Sequence, residues 1–205
     1  GVPADKLPKV LQLFNKMATE ICEGQQYDVD FESQECVTIE EYLKMIRLKT
    51  SVLLAAALKI GAYLADAPAE DAEKLYEFGV KMGLAFQLQD DWLDVYGDPK
   101  VFGKNIGGDI LCNKKTYLLI KALEGANQQQ RAELEHWLTV SEFDADEKIA
   151  AVKALYDEIG VRAICQDLVN AYFEQGRLLL EKVALPSEKK EILWQYALSL
   201  LGRES

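Results

Sequence analysis

Asp90, Asp91 and Asp94 stand within one short run, and Asp90-Asp91 is the only adjacent pair of aspartates in the chain. On a helix Asp90 and Asp94 lie one turn apart on the same face, with Asp91 beside them. Carboxylates this close repel one another unless cations sit between them. Mg²⁺ prefers such hard oxygen ligands and also binds phosphate oxygens. The chemistry implied is metal-assisted handling of a phosphate or diphosphate. At about 100° per residue, Gly79, Gly83, Phe86 and Gln87 fall on the stripe of Asp90 and Asp94, while Glu77 and Lys81 fall opposite. The aspartates therefore extend an inward face, and the glycines above them are expected to leave room for metal or ligand.

Cations that could meet such a ligand are few and well placed. Lys49 sits within the apolar stripe of Tyr42, Met45, Ile46, Leu53, Ala56 and Ile60, where an ammonium needs an anionic partner. The glycine-containing stretch after the aspartates supplies Lys104, Asp109, Lys114 and Lys115. Lysines act there as point charges on phosphate oxygens. Val10, Phe14, Met17 and Ile21 fall on one helical face, and Phe14, Ala18 and Ile21 continue down that helix to Gln25 and Asp28.

Helices must carry these groups. Thr38 and Glu41 form a capping box ahead of a helix expected to reach about residue 65. A second begins near Ala69 and runs to about Tyr96, where Gly97, Asp98 and Pro99 break it. Helices resume near Lys114, with further starts at Asn127, Asp144 and Ser187. No alternating strand pattern is present, so the fold class is all-α, a bundle of long helices packed side by side.

Composition narrows the function. The net charge of −11 argues against nucleic acid, whose phosphates require Lys and Arg. The longest apolar run, residues 51–58, is far shorter than the roughly 20 residues of a membrane span. The four cysteines show no Cys-x-x-Cys spacing and there is one histidine, so a zinc site is not expected. Reduced thiols in a cytoplasmic protein are.

In combination these residues resemble the trans-isoprenyl diphosphate synthases, the polyprenyl synthetase family, of short-chain farnesyl or geranylgeranyl type. The segment Phe86-Gln87-Leu88-Gln89-Asp90-Asp91-Trp92-Leu93-Asp94 is similar to that family's second aspartate-rich motif. The likeness continues through Gly97-Asp98-Pro99, Gly103-Lys104, Asp109 and Asn113-Lys114. Upstream, Glu23-Gly24-Gln25-Gln26-Tyr27-Asp28 and Lys49-Thr50 resemble two further segments in the expected order. The resemblance implies antiparallel helices around a central cavity and head-to-tail condensation of isopentenyl diphosphate with an allylic diphosphate. It implies Mg²⁺ on Asp90 and Asp94 with Asp91 in support, and Lys49 and Lys104 on the allylic diphosphate, with Lys114 near the same groups. Thr50 and Gln87 would face the allylic cation, Gln25 and Asp28 would line the cavity, and the enzyme would be a homodimer.

The family carries two aspartate-rich motifs, and this sequence has one; no two arginines are adjacent either. The 205 residues are therefore expected to be the C-terminal part of a single polyprenyl synthetase domain, inactive alone. Two other readings use the same features. A non-catalytic partner subunit has no need of Asp90, Asp94, Lys49 and Lys104. A class I terpenoid cyclase would require a second metal motif, and Gln166, Asn170 and Glu174 have its spacing but not its first two residue types.

Overall fold

The structure, a computed structural model, describes residues 1–98 and 106–201. Among these every regular element is helical. In chain order they are α1 (Leu7–Ser33), α2 (Ile39–Ile46), a π-helical turn (Arg47–Ser51), α3 (Val52–Leu64), α4 (Ala69–Tyr96), α5 (Gly108–Leu111), α6 (Tyr117–Gly125), α7 (Gln128–Thr139), α8 (Ala145–Ile159), α9 (Val161–Glu181) and α10 (Ser187–Leu201). None is long and apolar enough to cross a membrane.

Helix starts follow the capping signals. Thr38 and Glu41 bond reciprocally at α2, Asn127 and Gln130 do so at α7, and Asp144 accepts from the Glu147 amide at α8. Each cap is worth about 1 kcal/mol. Two boundaries carried no such signal. The short α5 lies inside the glycine-containing stretch, and Gly160, in the left-handed region at φ 84°, ends α8 and opens α9.

Helix α4 is the axis of the bundle. Its 28 residues span about 42 Å. It packs along α3 on one flank and α9 on another, and touches the π turn and α10 as well. Tyr76, Phe78, Leu84, Leu88 and Leu93 bury several of its faces, as a helix enclosed by others requires. The short link over residues 65–68 makes α3 and α4 antiparallel neighbours.

Three expectations about helix faces are corrected. On α1 the buried positions are Val10, Met17, Gly24 and Phe31, every seventh residue. Phe14 lies off that seam and is 51% exposed. The helix following Thr38 is not regular. Tyr42, Ile46, Ser51 and Ala55 are buried at spacings of four, five and four, the wider step coming from the π turn. Val52 is thereby buried and Leu53, expected on the inner stripe, is 53% exposed. Finally, Gly79 and Gly83 do not leave room for a ligand. A Cβ on Gly83 would lie 2.4 Å from Ser51 Cα, and one on Gly79 2.6 Å from Ala55 Cα. The space is taken by the backbone of the neighbouring helix, and the fully buried Ala55 and Ala56 serve the same close packing.

Candidate active site

The site lies where the π turn, the C-terminal half of α4 and the turn after α5 come together. Asp91, expected only to support its neighbours, is the most enclosed of the three aspartates at 2% exposure. The Tyr42 hydroxyl donates to its Oδ2, and the Gln87 amide donates to its Oδ1 at 3.0 Å. Lys114 Nζ stands 4.0 Å from the same Oδ1 and 3.2 Å from Asp109 Oδ1.

These contacts set the protonation of the cluster. Burial pushes the Asp91 carboxyl up to about 7, with the Lys114 ammonium pulling it down and Asp109 pushing it further up. Burial, then the Asp91 charge, raises the Tyr42 phenol well above its ordinary value. For Lys114 burial works against the charge, but Asp91 and Asp109 outweigh it and hold the ammonium above the usual lysine range. Burial raises Asp109 too, against the pull of Lys114 and with a further push from Asp94. The result is an anionic recess containing one strongly held cation.

Asp90 and Asp94 are half-buried. Asp94 Oδ2 accepts from the Asp109 amide at 2.9 Å, and the Asp94 carbonyl accepts from the Gly107 amide at 2.5 Å. Gly107 needs its left-handed φ of 84° to make that turn. Asp94 therefore ties the start of α5 to the end of α4 through one carboxylate oxygen. Among the described residues no group of three or more His, Cys, Asp or Glu side chains converges as a metal cage. The donor set nevertheless fits Mg²⁺, which binds through one or two carboxylates and completes its octahedron with water and phosphate oxygens.

Lys49 and Thr50 are both carried by the π turn. Lys49 Nζ pairs with Asp28 Oδ2 at 2.6 Å; the lysine side chain is 36% exposed, not buried in the stripe. The Thr50 hydroxyl donates to Gln87 Oε1 at 3.0 Å. A chain of hydrogen bonds thus runs from Thr50 through Gln87 to Asp91. Asp28 joins the site, but Gln25 does not: it is exposed on α1. The reason is helical phase. Gly24 packs on the Lys49 backbone, and Asp28, four residues on, shares its face, whereas Gln25 is turned about 100° away. Lys104 lies outside the described residues.

Beside this cluster is an open cavity of about 730 Å³ lined by Asp28, Phe31, Asp109, Asn113, Lys114 and Lys115, among others. Asp90 and Asp94 are not among its described lining residues. Asp109, bonded to Asp94, is. Two contributors went unread in the sequence. Tyr42 passed for an apolar core residue, although a buried tyrosine hydroxyl requires a partner. Lys148 is buried on α8 and donates to Asn113 Oδ1 at 2.7 Å; no sequence pattern distinguishes it from a surface lysine. On α9, Asn170 and Glu174 are exposed and Glu174 pairs with Arg177, so the cyclase-like spacing forms no metal site with Gln166.

The sequence pattern of the family described as polyprenyl synthetase matches residues 3–159. A geranylgeranyl diphosphate synthase of Methanosarcina mazei is 39% identical over 196 residues, which are 96% of this chain and 58% of the relative. A crystal structure of a geranylgeranyl pyrophosphate synthase superposes with a TM-score of 0.92 at 40% identity, covering 99% of this chain and 63% of that one. Another, a geranylgeranyl pyrophosphate synthase from Corynebacterium glutamicum complexed with isoprenyl diphosphate and magnesium, gives 0.90 at 28% identity, over 99% of this chain and 57% of that one. This chain thus spans somewhat over half the length of these proteins. Across that span it belongs to the polyprenyl synthetase family.

Proposed function

We propose that the chain serves head-to-tail prenyl transfer, in which isopentenyl diphosphate is joined to an allylic diphosphate. The observation that carries this reading is the hydrogen-bonded series Thr50–Gln87–Asp91, closed by Tyr42 and by Lys114. It places neutral oxygens beside a carboxylate cluster and a firmly held ammonium. Asp90 and Asp94 would hold Mg²⁺, with Asp91 behind them, and the bound ion would supply Lewis-acid withdrawal of charge from the leaving diphosphate. Lys114 would meet diphosphate oxygens directly. Lys49 would do so by exchanging its Asp28 partner for the ligand, and Lys104 is assigned the same role from the sequence likeness. The Thr50 and Gln87 oxygens would stabilise positive charge on the allylic carbon once its bond to diphosphate oxygen breaks. The double bond of isopentenyl diphosphate then forms the new carbon–carbon bond, and loss of a proton restores an alkene.

The geranylgeranyl synthases among the relatives support that product class without fixing product length here. The Corynebacterium glutamicum enzyme, seen with isoprenyl diphosphate and magnesium bound, supports both the metal and the diphosphate. Three unpaired, exposed cysteines suit a reducing cytoplasm. A homodimer is the proposed assembly. Ala55, Ala56 and Ala62 of α3 are spent on internal packing, so its exposed Leu53, Ala57 and Leu64 are the side chains offered to a second copy. Sedimentation as a monomer at micromolar concentration would exclude that assembly.

The test of activity is the polypeptide at its full natural length, supplied with radiolabelled isopentenyl diphosphate, an allylic primer and Mg²⁺. Labelled prenyl diphosphate is expected. Asp90→Ala should lower turnover by roughly two or more orders of magnitude while helicity is kept. Near-normal turnover in that variant would remove Asp90 from the metal site. The 205 residues carry one aspartate-rich motif, and by themselves they are not expected to turn over.

A further inference from the structure

Lys148 is an unusually costly charge. It lies near the start of α8 and is 1% exposed. What meets its ammonium among the described residues is an amide oxygen, Asn113 Oδ1 at 2.7 Å, and the face of Phe143, 4.3 Å from the ring centre. The positive end of the α8 dipole adds to the cost. Burial holds the ammonium below the usual lysine range. A methionine of similar length would fill this space without a charge to desolvate.

What the ammonium holds is the turn before Lys114. Asn113 sits in the left-handed region at φ 54°. Its two side-chain atoms are both engaged, Oδ1 by Lys148 and Nδ2 by the Leu138 carbonyl at 3.0 Å. The next residue donates its backbone amide to the Asp109 carbonyl at 2.9 Å and sends its side chain to Asp91 and Asp109. Asp109, Asn113, Lys114 and Lys148 also line a small cavity of about 10 Å³. That is at the limit for one water.

We propose that Lys148 is a positioning residue: through the Asn113 amide it fixes the turn that holds Lys114 between Asp91 and Asp109. Its consequence for substrate rests on the reading of Lys114 as a diphosphate ligand; the link itself does not. Two effects separate this role from a purely structural one. Lys148→Met removes a buried charge, so the melting temperature should hold or rise, while Lys114 becomes looser. A residue that only supported the fold would lose both together.

The experiment uses Lys148→Met, Asn113→Gly and the double variant. Glycine adopts the left-handed backbone freely and removes both side-chain bonds of Asn113, to Lys148 and to the Leu138 carbonyl. An amine-acylating reagent followed by peptide mass spectrometry reads the reactivity of Lys114 against exposed Lys16. Lys148→Met should speed acylation of Lys114 about fivefold and Asn113→Gly at least as much, since it also frees the Leu138 carbonyl; the double variant should go no further than Asn113→Gly, which already lacks the Lys148 link. An unchanged Lys114 rate in either single variant would overturn the proposal, and so would multiplied effects in the double. Should Lys148→Met lose helicity, Asn113→Gly decides alone by the same criterion. In the full-length protein, Lys148→Met should raise KM for the allylic diphosphate about fivefold with kcat little changed. A fall in kcat at constant KM would overturn the positioning role. Absence of prenyl transfer in the unmodified protein would overturn the diphosphate consequence along with the proposed function, while the acylation rates still judge the link.

Discussion

The Tyr42 hydroxyl donates to Asp91 Oδ2 across 49 residues of sequence. That bond divides three adjacent carboxylates into two kinds. Asp91 is turned into the protein and held by Tyr42 and Gln87, while Asp90 and Asp94 remain half-buried at the edge. Under the proposed function two carboxylates are left for a metal, and the third organises the residues behind it.

Tyr42→Phe removes one donor from a buried carboxylate and leaves Oδ2 against a ring edge. Hydrogen bonds to charged groups contribute about 1.5–3 kcal/mol, so urea unfolding of the variant at pH 8, where the Asp91 carboxyl is ionised, should show a loss of that order. The aromatic contact with Tyr117 needs no hydroxyl and should persist. A midpoint equal to that of the parent would mean that the bond contributes nothing net.

Lys49→Met tests the other end of the site. The sequence placed this ammonium on an apolar stripe, where its removal would raise stability. The structure gives it a carboxylate partner and partial exposure. Such pairs are worth about 0–1 kcal/mol, so thermal stability should change little. Affinity for the allylic diphosphate should fall, measured as KM or by calorimetry with an unreactive analogue. Unaltered affinity would remove Lys49 from the diphosphate site.

Gly83→Ala should destabilise the fold. The new Cβ would meet the Ser51 backbone at 2.4 Å, and relieving that contact requires α4 and the π turn to separate. Overpacking of this kind costs about 1–3 kcal/mol. The same separation would stretch the Thr50–Gln87 bond, so activity should drop along with the melting temperature. A variant with full stability would show that α4 slides without cost.

How much of this was legible in the sequence depends on whether the controlling interactions are local. Caps at Thr38, Asn127 and Asp144 depend on neighbours three residues away, and those helix starts were read correctly. That Asp90, Asp91 and Asp94 share one helix was legible for the same reason. The π turn was not. One wider step in a row of buried residues becomes visible only when α1 and α4 pack against it. Gly79 and Gly83 were misread because a glycine facing a ligand and one facing another backbone look alike in sequence. Tyr42 and Lys148 act through partners 49 and 35 residues away, a distance no periodicity spans.

Asp91→Asn offers a test through pH, in buffer free of divalent metal. The carboxyl stands near 7 in the folded protein against an ordinary value of 3.8. Below about pH 4 it is protonated in both states and imposes no penalty. Between there and about 7 the unfolded chain gives up its proton while the folded one keeps it, so stability falls as pH rises, and the loss is complete above 7. For an isolated group that interval corresponds to about 4 kcal/mol; Lys114, held above the usual lysine range, stays protonated throughout it, and its pull is already part of the Asp91 value. Asparagine cannot ionise, yet its amide can accept from Tyr42 and donate to Gln87 after that side chain rotates. The variant should therefore show a flatter melting profile between pH 4 and 8, and higher stability than the parent at pH 8. With Mg²⁺ and diphosphate present the advantage should reverse in activity, because the carboxylate supporting Asp90 and Asp94 is gone. If parent and variant lose stability in parallel from pH 4 to 8, Asp91 does not carry the high pKa, and Asp109, raised by the same burial, becomes the group to mutate.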